Sequence, residues 1–375
     1  MTLPIFTVIY ETAMAPGFTL SSDAEYALSN MRTCRTAERG GRIVCCPECG
    51  TSIIQYNPCN KRGCPICYEK NQIGWKKKRE KKLLPVSHYH LVFSIPQAFV
   101  NTWIVHKRAV SESLMMSVGS AIKELGKEKG LLLGGVVAFH SHGKRMSYKP
   151  HVHCVLTAGG MDTEKRWIEI GSLEYTKLVE KVRETFHQKL SERLPPSELP
   201  EEKTIDAREW TVYATMHQKT GRRIIEYLSH SICGVVIDMH QDFIINKEKG
   251  TVRFREEHGE RTIETELSTT IFTERYLNHI PPSGEVMIRY IGLYANLHRE
   301  EMEMVRNGME EEACEEEACE EEDEEDEDNR CPVCHGHLCT VITFLAGELP
   351  LCIKYMYVHG PPVHNEILKQ GKKVS

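Results

Sequence analysis

Cysteine is not spread along this chain. All 15 cysteines except Cys154 and Cys233 lie between Cys34 and Cys67 or between Cys314 and Cys352. The first window, CRTAERGGRIVCCPECGTSIIQYNPCNKRGCPICYEK, holds two Cys-x-x-Cys pairs, Cys46/Cys49 and Cys64/Cys67. Two such knuckles about fifteen residues apart can close a tetrahedral thiolate site for Zn²⁺. The segment is too short and polar to fold on an apolar core, so bound metal is expected to supply its stability. Cys34, Cys45 and Cys59 are surplus. One can replace a ligand, several can complete a second site, or they stay as buried thiols. In the second window CPVCHGHLC carries Cys331 and Cys334, with His335, His337 and Cys339 close by and Cys352 further on. It reads as a second zinc knuckle.

The stretch KPHVHCVLTAGG carries the other chemistry. Strand side chains alternate between faces, so His151 and His153 project together while Val152, Cys154 and Leu156 pack behind them. Two parallel imidazoles on a strand make half of a divalent-metal site. GGVVAFHSHG reads as the preceding strand, and the loop GKRMSYKP brings its His140 back beside His151. His140 is therefore the expected third ligand, with His90 and His142 in reserve. SHYHLVFSIP reads as a strand with His88, His90, Val92 and Ser94 on one face.

The formal charge of −6 hides an asymmetry. Residues Glu310–Asp328 hold 15 acidic groups and no basic ones, so the remainder carries +9. A basic body with a separable acidic segment suits a nucleic-acid partner. WKKKREKKLLP places Trp75 beside Lys76, Lys77, Lys78 and Arg79, an aromatic ring next to phosphate-binding charge. The acidic run has no large apolar residue and reads as a flexible linker. No apolar run approaches the roughly 18 residues of a membrane span. The N-terminus lacks signal-peptide features, so a cytoplasmic protein is expected.

Between these landmarks the pattern is mixed. Residues 98–129 read as one or two helices, 166–194 as helix, EWTVYATMHQ as strand and GRRIIEYLSHSI as a helix carrying Tyr227. GVVIDMHQDFIINKEKGTVRFRE reads as a hairpin or meander, and IFTERYLNHIPPSGEVMIRYIGL as a helix, a turn and a further element. The expected class is α+β. The expected divisions are 1–84 (zinc-binding, DNA recognition), 85–300 (catalytic), 301–330 (acidic linker) and 331–375 (a small segment with the last knuckle).

The order of motifs resembles the transposases of rolling-circle bacterial insertion sequences, which join a transposase zinc-binding domain to a His-hydrophobe-His (HUH) nuclease domain. The pieces that carry the likeness are CPECG…YNPCNKRGCPICYEKNQIGW, LLPVSHYHLVFSIP, KPHVHCVLTAGG, IIEYLSHSI and FTERYLNHIPPSGEVMIRYIGL. They run from about Cys34 to about Leu297. The resemblance implies an HUH endonuclease fold, an antiparallel sheet with flanking helices and an RRM-like core. It implies a single-strand DNA nickase and rejoining enzyme acting on single-stranded or hairpin transposon ends, nucleoid-associated in a bacterium. Tyr227 takes the place of the nucleophile, His151 and His153 of the Mg²⁺ or Mn²⁺ pair, and His140 of a third ligand seen in related replication initiators. Cys46, Cys49, Cys64 and Cys67 take the place of the zinc cysteines, with Cys34 and Cys59 also in family-like positions. Lys149 stands where many relatives have His and joins the expected DNA contacts. Ser231 stands where many carry a second tyrosine, which favours a one-tyrosine scheme. Alternatives are a replication initiator with the same chemistry and a non-catalytic zinc-dependent DNA-binding derivative.

Overall fold

The structure is a computed structural model that describes residues 4–67, 73–76, 83–217, 243–258, 261–313 and 329–347. In chain order the elements are α1 (Pro4–Ala13), α2 (Ser22–Arg32), β1 (Gly41–Cys45), β2 (Ser52–Tyr56), β3 (His88–Ser94), α3 (Val100–Val105), α4 (Lys107–Lys129), β4 (Leu132–His142) and β5 (Tyr148–Met161). They continue with β6 (Trp167–Glu169), α5 (Tyr175–Ser191), β7 (Thr211–His217), β8 (Ile244–Asn246), β9 (Thr251–His258), β10 (Arg261–Ser268), α6 (Thr269–His279), β11 (Ile288–Gly292), α7 (Arg299–Ala313) and β12 (Cys339–Phe344). Contacts group them into two units, Met1–Ala24 with Tyr68–Glu316, and Glu25–Cys67 with Glu317–Ser375.

The larger unit is built on an antiparallel sheet in the order β11-β4-β5-β3-β7, with β6 added to β5. Alternation sorts the strands cleanly. Leu91 and Phe93 of β3, Val137 and Phe139 of β4, and Val152, Cys154 and Leu156 of β5 enter one apolar cluster. That cluster is closed by Val110, Leu114, Val118 and Ile122 of α4 and by Phe186 and Leu190 of α5. The opposite face supplies Val136, Ala138 and Val155 to a second cluster, with Leu84, Val86, Leu293, Tyr294 and Val305. The central strands are thus covered on both sides, the setting that holds a strand most rigidly in register. A separate sheet, β10-β9-β8, packs through Phe243 and Phe254 on Phe272 of α6.

The architecture is α+β, as expected. The helix expected from residue 166 begins at Tyr175, because Trp167–Glu169 pairs with Gly159–Met161 of β5. The grouping of the ends also departs from the expected divisions. Helix α1 packs on α6 in the sheet unit, and β12 pairs with β1, so the last knuckle belongs with the cysteine-rich segment. No helix among the described residues is long and apolar enough to cross a membrane.

Candidate metal centre

The β4–β5 register sets His140 opposite His151 and Ala138 opposite His153. Partners across an antiparallel ladder share a face, so His140, His151 and His153 meet on the side away from the α4–α5 core. One ring nitrogen from each lies within 4.8 Å of the other two. Ring centroids are 4.2 Å apart for His140 and His153, and 4.8 Å for His151 and His153. All three are buried, but against one another rather than in the α4–α5 core.

Hydrogen bonds fix how these rings present themselves. His151 Nδ1 lies 2.6 Å from the Lys149 carbonyl, which can only accept, so Nδ1 carries the proton and Nε2 keeps its lone pair. His153 Nδ1 lies 2.8 Å from His90 Nε2, and the two rings stack. The His151 and His153 Nε2 atoms then face each other at 3.0 Å. Burial pulls His151 down to about 4 and His153 well below the usual imidazole value, so both are neutral near pH 7. Two imidazole nitrogens this close, with one from His140 beside them, are a donor set that could hold one divalent cation.

The loop between β4 and β5 is clamped from α6. His279 accepts from the Ser141 hydroxyl through Nδ1 at 3.0 Å and donates from Nε2 to the Met146 carbonyl at 3.0 Å. Arg275 donates to the Arg145 carbonyl at 2.8 Å, and Asn278 to the Tyr148 hydroxyl at 2.9 Å. Arg145 and Met146 both have positive φ, 58° and 53°, a turn that these bonds hold in place. Burial lowers His279 to about 3. Sequence reasoning assigned no role to Arg275, Asn278 or His279. Their i, i+3, i+4 spacing in TERYLNHIP was the available signal.

Of the reserve ligands, His90 orients His153, and His142 stands 6.3 Å from the His140 ring. His88 instead bonds the buried Tyr294 hydroxyl at 2.7 Å, which also accepts from Leu84 N–H. The Trp75 ring, placed by sequence in a DNA-facing role, packs partly buried against the Leu84–Tyr294 cluster. Lys76 is partly buried and Lys149 exposed. Tyr227, Lys77, Lys78 and Arg79 lie outside the described residues. An aromatic that sequence reasoning missed, Tyr213, is 63% exposed on the face of the triad, since Val92 pairs with both His153 and Tyr213.

The cysteines form two tetrads, Cys34/Cys59/Cys64/Cys67 and Cys46/Cys49/Cys331/Cys334. Cys34 and Cys59, also expected among the zinc cysteines, join Cys64 and Cys67, whereas Cys46 and Cys49, expected to share one site with Cys64 and Cys67, stand instead with the Cys331/Cys334 knuckle. Cys46 and Cys49 sit at the tip of the β1–β2 hairpin, whereas Cys34 precedes β1 and Cys59, Cys64 and Cys67 follow β2. Five paired residues, about 17 Å of strand, separate the two ends. In the first tetrad Cys67 Sγ lies 3.4 Å from Cys34 and 3.8 Å from Cys59. Hydrogen bonds from Cys34, Cys59 and Cys64 hold Cys67 far below the ordinary thiol range, and those with Cys34, Cys59 and Cys67 push Cys64 far above it. Four sulfurs converging from two flanking segments are a donor set that fits a structural Zn²⁺.

A family model described as "Transposase zinc-binding domain" matches residues 5–95, and one described as "Putative transposase" matches residues 134–301. The chain is 26% identical over 323 residues to "Putative transposase y4qJ" of Sinorhizobium fredii, covering 79% of this chain and 81% of that protein. It is 27% identical over 294 residues to "Transposase for insertion sequence element IS801" of Pseudomonas savastanoi pv. phaseolicola, covering 72% of this chain and 70% of that protein. No solved structure gives a significant match. In succession the chain matches a transposase zinc-binding domain and a transposase domain, and it is similar over most of its length to these two transposases.

Proposed function

We propose that the chain nicks and rejoins single-stranded DNA at transposon ends through a covalent 5′-phosphotyrosine on Tyr227. The observation that carries this reading is the convergence of three buried imidazoles, two of them held neutral, on a hairpin fixed at its loop and on both faces. Their donor set fits a divalent cation. Neutral imidazole without carboxylate suits Mn²⁺ better than Mg²⁺. When bound, such an ion offsets the charge that develops on a scissile phosphate.

The chain's own residues do the rest. His140, His151 and His153 would hold the ion, the Lys149 carbonyl and His90 set the two ring orientations, and the α6 clamp keeps the hairpin from splaying. The Tyr227 oxygen attacks phosphorus as its proton leaves to a base. Lys149 and His230 are the candidates, and Arg223 offers positive charge to the phosphate. The P–O3′ bond breaks, the 3′ oxygen takes up a proton, and the 5′ phosphate stays on tyrosine. Attack by a later 3′-hydroxyl reverses the step and joins strands without ATP, because the ester conserves the phosphodiester energy. Tyr213, on the face of the triad and about 10 Å from His153 across two strand spacings, offers an exposed ring on which a base can stack. The zinc unit and the basic residues 76–79 would dock the ends.

A labelled single-stranded oligonucleotide from a transposon end, incubated with the protein and Mn²⁺, should give an adduct that survives denaturing electrophoresis. Tyr227→Phe should bind the same DNA and give none. An adduct with Tyr227→Phe removes Tyr227 as nucleophile. No adduct from the parent protein across its end sequences leaves the non-catalytic reading.

A further inference from the structure

We propose that Cys46, Cys49, Cys331 and Cys334 hold a second structural Zn²⁺, which fastens the C-terminal segment 329–347 into the zinc unit. The zinc-binding family model ends at residue 95, so two of the four ligands lie far outside it. Cys46 Sγ is 3.4 Å from Cys334 Sγ, and Cys49 Sγ is 3.5 Å from Cys331 Sγ. A disulfide requires about 2.05 Å, and all four are free thiols. Sulfurs around one tetrahedral Zn²⁺ at about 2.3 Å stand about 3.8 Å apart, close to the spacing found. Four thiolates without carboxylate or imidazole select zinc over harder cations.

The backbone makes the same case independently. CPECGT and CPVCHG fold into one turn twice. Cys46 N–H donates to Thr51 O and Gly50 N–H to Cys46 O; Cys331 N–H donates to Gly336 O and His335 N–H to Cys331 O. The fifth residue takes positive φ in both, 78° at Gly50 and 62° at His335. His335 accepts a conformation that glycine fills in the other copy. The turn points both sulfurs of each pair to one side, and donors follow them: Val333 N–H reaches Cys331 Sγ at 3.5 Å, and the Thr51 hydroxyl lies 3.1 Å from Cys49 Sγ.

Register explains why these two knuckles meet. β12 runs antiparallel to β1 with Cys339 opposite Cys45, so the chain just before β12 lies against the tip of the β1–β2 hairpin. Apolar burial alone does not hold it there. Of β12, only Phe344 is buried, and its cluster with Ile43 is filled out by Ile54, Tyr56 and Ile342. A strand so thinly packed needs a further fastening, and the metal supplies one across a separation of 282 residues.

The full-length protein should carry two zinc ions by elemental analysis. Cys331→Ser/Cys334→Ser should carry one, Cys46→Ser/Cys49→Ser one, and the quadruple variant still one, because both pairs serve the same ion. A parent with one zinc, a Cys331/Cys334 variant that keeps two, or a quadruple variant that keeps none would overturn the proposal. Differential alkylation of the unmodified parent gives a readout that needs no variant. Cys46, Cys49, Cys331 and Cys334 should be protected together and lose protection together as a chelator is raised. Labelling of Cys331 and Cys334 in zinc-loaded protein as fast as the exposed Cys339 would equally refute it.

Discussion

His90 offers the sharpest test of how the triad works. Its Nε2 lies 2.8 Å from His153 Nδ1, with both rings buried and stacked. For His153 to offer an Nε2 lone pair, its proton must sit on Nδ1, and His90 is the acceptor that keeps it there. His90→Phe conserves bulk but removes the acceptor. Leaving a buried donor unpaired costs about 1–3 kcal/mol, and His153 escapes that cost by moving the proton to Nε2, where it blocks the metal. Loss of such an outer partner typically weakens metal affinity about 10–100-fold, or about 1.4–2.7 kcal/mol, so the two figures agree. The assay is the Mn²⁺ dependence of covalent adduct formation. The half-saturating concentration should rise about 10–100-fold in His90→Phe while the rate at saturating Mn²⁺ changes little. His90→Gln, whose carbonyl oxygen can reach the place of Nε2, should recover much of the loss. A merely structural role for His90 would instead lower the saturated rate and leave the Mn²⁺ midpoint alone. That result, or a midpoint equal to the parent's, would refute the reasoning.

Three further outcomes follow from the same structure. Mn²⁺ should half-saturate adduct formation well below Mg²⁺, since three imidazoles and no carboxylate make a poor magnesium site; equal midpoints for the two ions would mean that another donor completes the site. His279 is lowered by burial to about 3, so between about pH 6.5 and 3 the unfolded chain binds the proton and the native chain does not. Stability must therefore fall as pH drops through that window, by about 2 kcal/mol between pH 7 and 5 from this group. In urea denaturation His279→Gln should lose less between these pH values than the parent, and an unchanged difference would remove His279 as the source. A Cβ on Gly292, at φ 54°, would stand 1.7 Å from the Leu133 carbonyl oxygen. Gly292→Ala should therefore destabilise the β4–β11 pairing by at least about 2 kcal/mol, read as a lowered denaturation midpoint.

What could be read from the sequence was what depends on local periodicity. His151 and His153 had to share a face because a strand repeats every two residues. His140 followed once GGVVAFHSHG and KPHVHC were taken as an antiparallel hairpin, whose register sets His140 opposite His151. What could not be read depends on pairing between distant segments. Spacing alone made Cys46/Cys49 and Cys64/Cys67 equally good partners, and only the hairpin between them shows that they sit at opposite ends. The choice of Cys331/Cys334 is written in the β1–β12 register, which no local signal carries. Trp75 beside a run of lysines looked like an exposed ring, but the decisive fact is the cluster around it, in which Leu84 meets Tyr294 from 210 positions further along the chain. The α6 clamp was hidden for the same reason.

The nucleophile assignment meets one further constraint, set by chain length. β7 runs antiparallel to β3, with Thr211 opposite Ser94 and His217 opposite His88. Its last residue is thus four positions along the strand and two strands across from His153, about 17 Å in all. Tyr227 stands ten positions after His217. Ten residues of helix advance about 15 Å, and an extended stretch reaches up to about 33 Å. A tyrosine side chain adds several ångströms to either. The chain after β7 is therefore long enough to return Tyr227 to the imidazoles even if it folds as helix throughout. A linker of only one or two residues would have ruled that tyrosine out.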